Sequence, residues 1–150
     1  MKIKIAVPLD ADNSVYHSNP WTAPAFAVYL VKDEEEKIIY DCLEHKQNPW
    51  AEENKNIICD PMIRSDGCSD MVKAGLDHPA DHQTIFEAIN GCDYITAGTC
   101  CRNVEKVLGK GGTKIYKLPP IVKDPDLAVK SLLVNLGFAT HLHTIKKAAP

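Results

Sequence analysis

Two adjacent thiols, Cys100 and Cys101, close the stretch Gly91-Cys92-Asp93-Tyr94-Ile95-Thr96-Ala97-Gly98-Thr99-Cys100-Cys101-Arg102. Thiolates are standard donors to iron–sulfur centres and to soft metals, and a thiol of lowered pKa is also a nucleophile. Adjacent side chains on a helix point about 100° apart, so both can reach one metal only from the non-helical turn before a helix. The bland reading is that one thiol packs in the core and the other is incidental.

The next candidate is His17, in a turn-rich loop with Asp10, Asp12, Asn13, Ser18, Asn19 and Pro20. Imidazole is a common metal ligand and general base, although a lone loop histidine is ordinarily a solvated one. Cys59 and Cys68 flank an eight-residue gap. That is too wide for a metal knuckle, so they are either a lid over the site or an ordinary thiol pair. Cys42 and Cys92 fall in or beside strands and read as small core residues. His78 and His82 have the four-residue spacing of one helix face, but Pro79 makes His78 pre-helical. His141 and His143 offer adventitious metal capture near the C-terminus. Asp10 and Asp12 raise two-metal phosphoryl hydrolysis, yet both follow Pro8 and so lie outside a strand that would hold a metal rigidly. No Gly-x-Gly-x-x-Gly, phosphate loop, His-Glu-x-x-His or Gly-x-Ser-x-Gly occurs.

These residues need a scaffold, and the chain outlines one. Ile3, Ile5 and Val7 alternate with Lys2, Lys4 and Ala6, which predicts a first strand ended by Pro8. Residues 24–32 and 37–43 form a hairpin around the charged turn Asp33-Glu34-Glu35-Glu36. From Glu44 to His78 the periodicity fades into an irregular insertion. Pro79 suits the first turn of a helix that Asn90-Gly91 stops. Asp93 to Ala97 is a short central strand, and Val104, Val107 and Leu108 beyond it lie on one helix face. Thr99 reads as the N-cap of that helix, whose positive end would lower thiol pKa values and favour bound anions. Thr113 to Leu118 is a strand, Asp124-Pro125 opens a last helix ending at Gly137, and residues 141–150 read as a tail. The order implies a mixed five-stranded sheet with helices on its faces. Ligands then belong in the crevice at the carboxyl ends of the strands, where the loops carrying His17 and Gly98 share an edge.

Length and composition bound the class. With 150 residues, 45% of them hydrophobic, the chain suits one domain with a proper core, here residues 1–140. The net charge of −3 and the absence of a basic stretch argue against a nucleic-acid partner. No run of about 20 apolar residues exists to span a membrane, and the opening residues read as a strand rather than a secretory signal, so the expected location is cytoplasmic. Six cysteines without a C-x-x-C pair point in such a compartment to metal binding or thiol chemistry rather than to disulfides.

Taken together, Met1-Lys-Ile-Lys-Ile-Ala-Val-Pro8, the loop ending at His17, the strand Ala25-Phe26-Ala27-Val28-Tyr29, the Cys92-Asp-Tyr-Ile-Thr-Ala-Gly98 turn and the helix from Asp126 to Leu136 resemble the dinitrogenase iron–molybdenum cofactor biosynthesis family. This family comprises the NifX/NafY-type proteins and the C-terminal domain of NifB-type proteins. The resemblance implies a ribonuclease H-like three-layer α/β/α sandwich that is not an enzyme. It would bind or carry an iron–sulfur or molybdenum-containing metal–sulfur cluster, or its precursor, between donor and acceptor proteins. On that reading His17, Thr99, Cys100, Cys101 and Arg102 contact the cluster, and Cys100, Cys101, His17, Cys68 and Cys59 supply metal ligands. The family's usual His-Phe-Gly is replaced here by His17-Ser18-Asn19, and its glycine-rich turn by Gly98-Thr99-Cys100-Cys101. Two other classes stand beside this one. One is a thiol enzyme with His17 as base, oriented by Asp10 or Asp12. The other is a regulatory or interaction domain that keeps the fold without the cluster site.

Overall fold

The structure, a computed structural model, describes residues 1–53, 87–89, 91–139 and 144–149. Among these, the elements run β1 (Lys2–Leu9), a single 3-10 turn (Pro20–Thr22), β2 (Ala25–Glu34), β3 (Lys37–Gln47), α1 (Pro49–Glu53), β4 (Tyr94–Ala97), α2 (Arg102–Lys110), β5 (Lys114–Lys117), α3 (Pro125–Asn135) and β6 (Ile145–Lys147). They form one mixed six-stranded sheet in the order β5-β4-β1-β2-β3-β6. β1, β2 and β3 are an antiparallel meander, while β4 lies parallel to β1, β5 parallel to β4 and β6 parallel to β3.

β1 is the strand around which both faces close. Ile5, Val7 and Leu9 enter one buried cluster with Ala128, Val129, Leu132 and Leu133 of α3. Ala6 enters the other, with Phe26, Val28, Ile95 and the α2 residues Val104 and Leu108. The period-2 side-chain alternation of a strand makes this division, and helices on opposite faces bury each half. Asp93 fastens β4 to β1 from both ends of its residue. Its carboxylate accepts the Lys4 N–H at 2.8 Å, and its own N–H donates to the Lys4 carbonyl at 2.8 Å. On the α3 face, the Tyr29 hydroxyl donates to Asp126 at 2.9 Å, and Lys147 of β6 approaches the same carboxylate at 3.5 Å. Burial and that carboxylate push the Tyr29 phenol well above its ordinary pKa.

Three expectations are corrected. The sheet has six strands rather than five, because Ile145–Lys147, expected within a tail, pairs with Ile38–Tyr40 of β3. Ile145 is a buried anchor in an otherwise polar and cationic segment, so its strand signal in isolation is too short to register. β3 continues to Gln47 and α1 follows it, so the first residues of the insertion expected to begin at Glu44 belong to regular elements. The strand's outer half is exposed and charged, and it is held by pairing with Ala25–Val28 rather than by apolar alternation. Helix α2 begins at Arg102 with Cys101 as N-cap, not Thr99, and no side chain caps it. By contrast, Asp124 caps α3 as expected, accepting the Asp126 N–H. Most of the helix expected after Pro79 lies outside the described residues. Among the described residues, no helix is long and apolar enough to cross a membrane.

Asn48, which in the sequence only interrupts periodicity, joins the end of β3 to the loop after β1. Fully buried, its amide donates to the carbonyls of Trp21 at 2.8 Å and Ala23 at 2.9 Å. Asn48→Leu keeps the volume but leaves two buried carbonyls without these donors. We expect a loss of about 2–4 kcal/mol, read as a lower denaturant midpoint at unchanged slope.

Candidate functional site at the carboxyl edge of β1 and β4

The chain doubles back after β1. Asp10 accepts the Asn13 N–H at 3.0 Å, Val15 bridges to Leu9, and the Tyr16 N–H donates to the Pro8 carbonyl at 2.9 Å. This reversal returns His17 to the end of the strand it left. The Thr22 hydroxyl donates to the Asn19 carbonyl at 2.7 Å, which leaves the Tyr16 hydroxyl as donor in the 2.6 Å contact between the two side chains. Tyr16, Asn19, Trp21 and Thr22 are all buried, so the loop holding His17 is a packed one and not a solvated excursion.

On the neighbouring strand, β4 ends at Ala97 and the chain passes through Gly98 to the two thiols. The Thr99 N–H donates to the His17 carbonyl at 3.1 Å. A Cβ on Gly98 would sit 2.2 Å from that same carbonyl oxygen. Glycine is therefore required at 98 by the close approach of the His17 backbone. The shared edge inferred from the βαβ rule is present, and His17, Gly98 and Thr99 are in contact through their main chains.

The side chains divide at this edge. The His17 ring turns toward the segment before α3, where Nε2 lies 2.6 Å from the Val122 carbonyl, and Val122 belongs to the α3-side core. Its Nδ1 is buried and has no hydrogen-bond partner among the described residues. Cys100 and Cys101 are half-buried and pack against the α2-side core. Thr99 and Arg102 are exposed. Among the described residues no group of three or more histidine, cysteine, aspartate or glutamate side chains is positioned to hold a metal. Cys59, Cys68, His78, His82, His141 and His143 lie outside the described residues.

Electrostatics corrects the expected thiolate. Burial pushes the Cys100 thiol up to about 12, with the neighbouring Cys101 adding to the shift and Lys117 opposing it. Its Sγ points at the Cys101 carbonyl, 3.7 Å away. The helix end does not lower it, because α2 starts two residues later and desolvation outweighs a terminal dipole whose effect fades within one turn. Cys92 is buried and pushed up to about 11, as befits the core residue expected. Cys42 is half-buried, with its pKa raised chiefly by burial and its Sγ directed at the Glu44 carbonyl. Asp12 accepts both the hydroxyl and the N–H of Ser14, which hold its carboxyl below the usual range. It is a turn residue, and with the ring nitrogens of His17 disposed as above, neither Asp12 nor Asp10 orients the imidazole. The Val122 carbonyl is the partner that sequence reasoning missed. A main-chain acceptor has no residue-type signal, and Pro119-Pro120 marks only that a turn lies nearby.

Compared with family models and with curated proteins, the chain matches none.

Two outcomes check this geometry. Gly98→Ala should displace the His17 backbone and lower stability by at least about 2 kcal/mol in denaturant unfolding. For Cys100, a raised pKa leaves little thiolate at neutral pH. Its iodoacetamide labelling in the metal-free protein, followed by peptide mass spectrometry, should be slower than that of a free thiol at pH 7 and should still be climbing above pH 10, where a free thiol has levelled off.

Proposed function

We propose that this chain is a non-catalytic binder or carrier of a metal–sulfur cluster, iron–sulfur or molybdenum-containing, or of its precursor. The cargo sits at the carboxyl edge of β1 and β4 and passes between donor and acceptor proteins. The observation that carries the reading is the locking of two distant segments at one sheet edge. The Thr99 N–H on the His17 carbonyl and the absence of room for a Cβ at Gly98 keep an imidazole and two thiols at neighbouring strand ends. The sheet with helices on both faces accords with the ribonuclease H-like three-layer sandwich that the resemblance to the dinitrogenase iron–molybdenum cofactor biosynthesis family implies.

In this reading the metal displaces the thiol protons of Cys100 and Cys101 into solvent, so ligation competes with protonation and strengthens as pH rises. The extended backbone at Cys101 (φ −80°, ψ 160°) places both thiols before the helix, where they are not fixed at helical spacing. The amino end of α2 and the Arg102 side chain in its first turn offset the negative charge of such a cluster. Binding by few protein donors suits a carrier, since open coordination positions let an acceptor take the cargo.

A thiol enzyme ranks behind this reading. Its base would need an orienting carboxylate, which His17 lacks among the described residues, and burial raises the pKa of Cys100, one of its two candidate nucleophiles.

Anaerobic reconstitution of the full chain with ferrous iron and sulfide, followed by iron and acid-labile sulfide analysis and visible absorption, tests the proposal. Wild type should retain iron and sulfide with thiolate-to-iron charge-transfer absorption, and a Cys100→Ala, Cys101→Ala double variant should retain several-fold less. Equal retention by both would remove the cluster from this edge and leave the regulatory or interaction domain as the reading.

A further inference from the structure

The two helices that cover the sheet differ on their outer sides. α2 buries Val104 and Leu108 and exposes Arg102, Glu105, Lys106 and Lys110, the pattern of a helix that meets water on its far side. α3 buries Ala128, Val129, Leu132 and Leu133, yet Leu127, Ser131 and Val134, spaced along one side of the helix, are only half-buried or exposed. A helix with apolar residues on both sides is ordinarily covered on both. Leu127, Ser131, Val134 and Asn135, with Val122 from the preceding turn, line a hollow of about 220 Å³. Its polar groups are already engaged, since the Asn135 amide donates to the Tyr116 hydroxyl of β5 and to the Ser131 hydroxyl. An occupant therefore needs only apolar surface.

A side chain of that kind is next to the hollow. Ile121 is 85% exposed, far more than any other large apolar residue among those described. One exposed apolar side chain is ordinary, but this one is on a braced turn. Pro119 and Pro120 precede it, and the Val122 N–H donates to the Pro119 carbonyl at 3.1 Å. The carbonyls of Val122 and Lys123 are in turn held by the His17 ring and the Val15 N–H. An anchor fixed beforehand binds without the ordering cost of a mobile one.

We infer that α3 and the turn at 119–123 form the interface of a twofold dimer of this chain, in which Ile121 of each copy fills the hollow of the other. A single patch that carries both the projecting group and its receptor is self-complementary, which a twofold interface requires. A partner of another kind would have to supply an apolar side chain for the hollow and a separate seat for Ile121, whereas a second copy brings both. The rim carries one charge of each sign, Lys123 and Asp124, both exposed, so two copies meet without net repulsion. The 11 residues of α3 span about 16 Å, and helix and turn together offer a few hundred Å² per copy. A standard stable interface buries about 800 Å² per partner, so the dimer is weak and concentration-dependent. It is independent of any cargo.

Sedimentation velocity of the full, reduced, metal-free chain from about 10 μM to about 1 mM, the range in which a weak interface titrates, tests the dimer. Wild type should pass from monomer toward dimer across that range and stop there. Ile121→Asp and Leu127→Lys alter exposed side chains and should leave the far-ultraviolet circular dichroism unchanged. Each should raise the dissociation constant roughly tenfold or more, the effect of losing a buried apolar side chain. A monomer at every concentration would overturn the inference, and so would an unchanged dissociation constant in either folded variant. Species that keep growing beyond the dimer would also overturn it, because they report an open head-to-tail contact rather than a closed twofold one.

Discussion

The main-chain contact between Gly98 and His17 is the constraint on which the rest of the edge depends. A carbonyl that would stand 2.2 Å from a Cβ leaves no side chain but hydrogen possible at 98, and the adjacent Thr99 N–H uses the same oxygen. Two loops separated by some eighty positions in the chain are thus set at a fixed distance, whatever their side chains do. From this edge the chain leaves β4 to reach Cys101, the N-cap of α2, and the histidine ring lies against the Val122 carbonyl on the α3 side.

The sheet supplies the rigidity this contact needs. β1 is buried on both faces and paired on both sides, with antiparallel β2 along its whole length and parallel β4 at its centre, where Asp93 closes two hydrogen bonds on Lys4. Ala6 on one face packs with Val104 and Leu108 of α2, and Ile5 and Val7 on the other with Ala128, Val129, Leu132 and Leu133 of α3. The outer strands β5 and β6 are short and carry lysines at Lys114, Lys117, Lys146 and Lys147, a composition that discourages pairing with another sheet. The candidate edge is therefore in the middle of the sheet, between β1 and β4.

The thiols show how tertiary context reverses a local argument. Near the start of a helix a cysteine is expected to be acidified, and the local order is indeed strand, turn and helix. Cys100 is nevertheless pushed up, because burial against the α2-side core costs the thiolate more than a helix end two residues away returns. A neutral, half-buried thiol is poorly suited to attack a substrate, and a metal binds it only by displacing its proton to solvent. The same feature weakens the nucleophile reading and makes ligation pH-dependent, with the metal competing against the proton for sulfur.

What the sequence determined by itself was whatever rests on local period and local chemistry. The alternation of Ile3, Ile5 and Val7, the charged turn of the hairpin, the stop at Gly98 and the Asp124-Pro125 helix start all follow from residue type and short-range spacing, whereas the adjacency of the β1 and β4 loops follows from a rule of parallel-sheet topology. What only the tertiary structure decided was carried by groups without a sequence signature. The Val122 carbonyl on the His17 ring is main chain, the role of Asn48 depends on two carbonyls more than twenty residues away, and β6 needs β3 before Ile145 has anything to pack on. The division of imidazole and thiols between the two faces belongs to the same class. It is set by which core each side chain meets when the sheet closes, and no spacing along the chain encodes that.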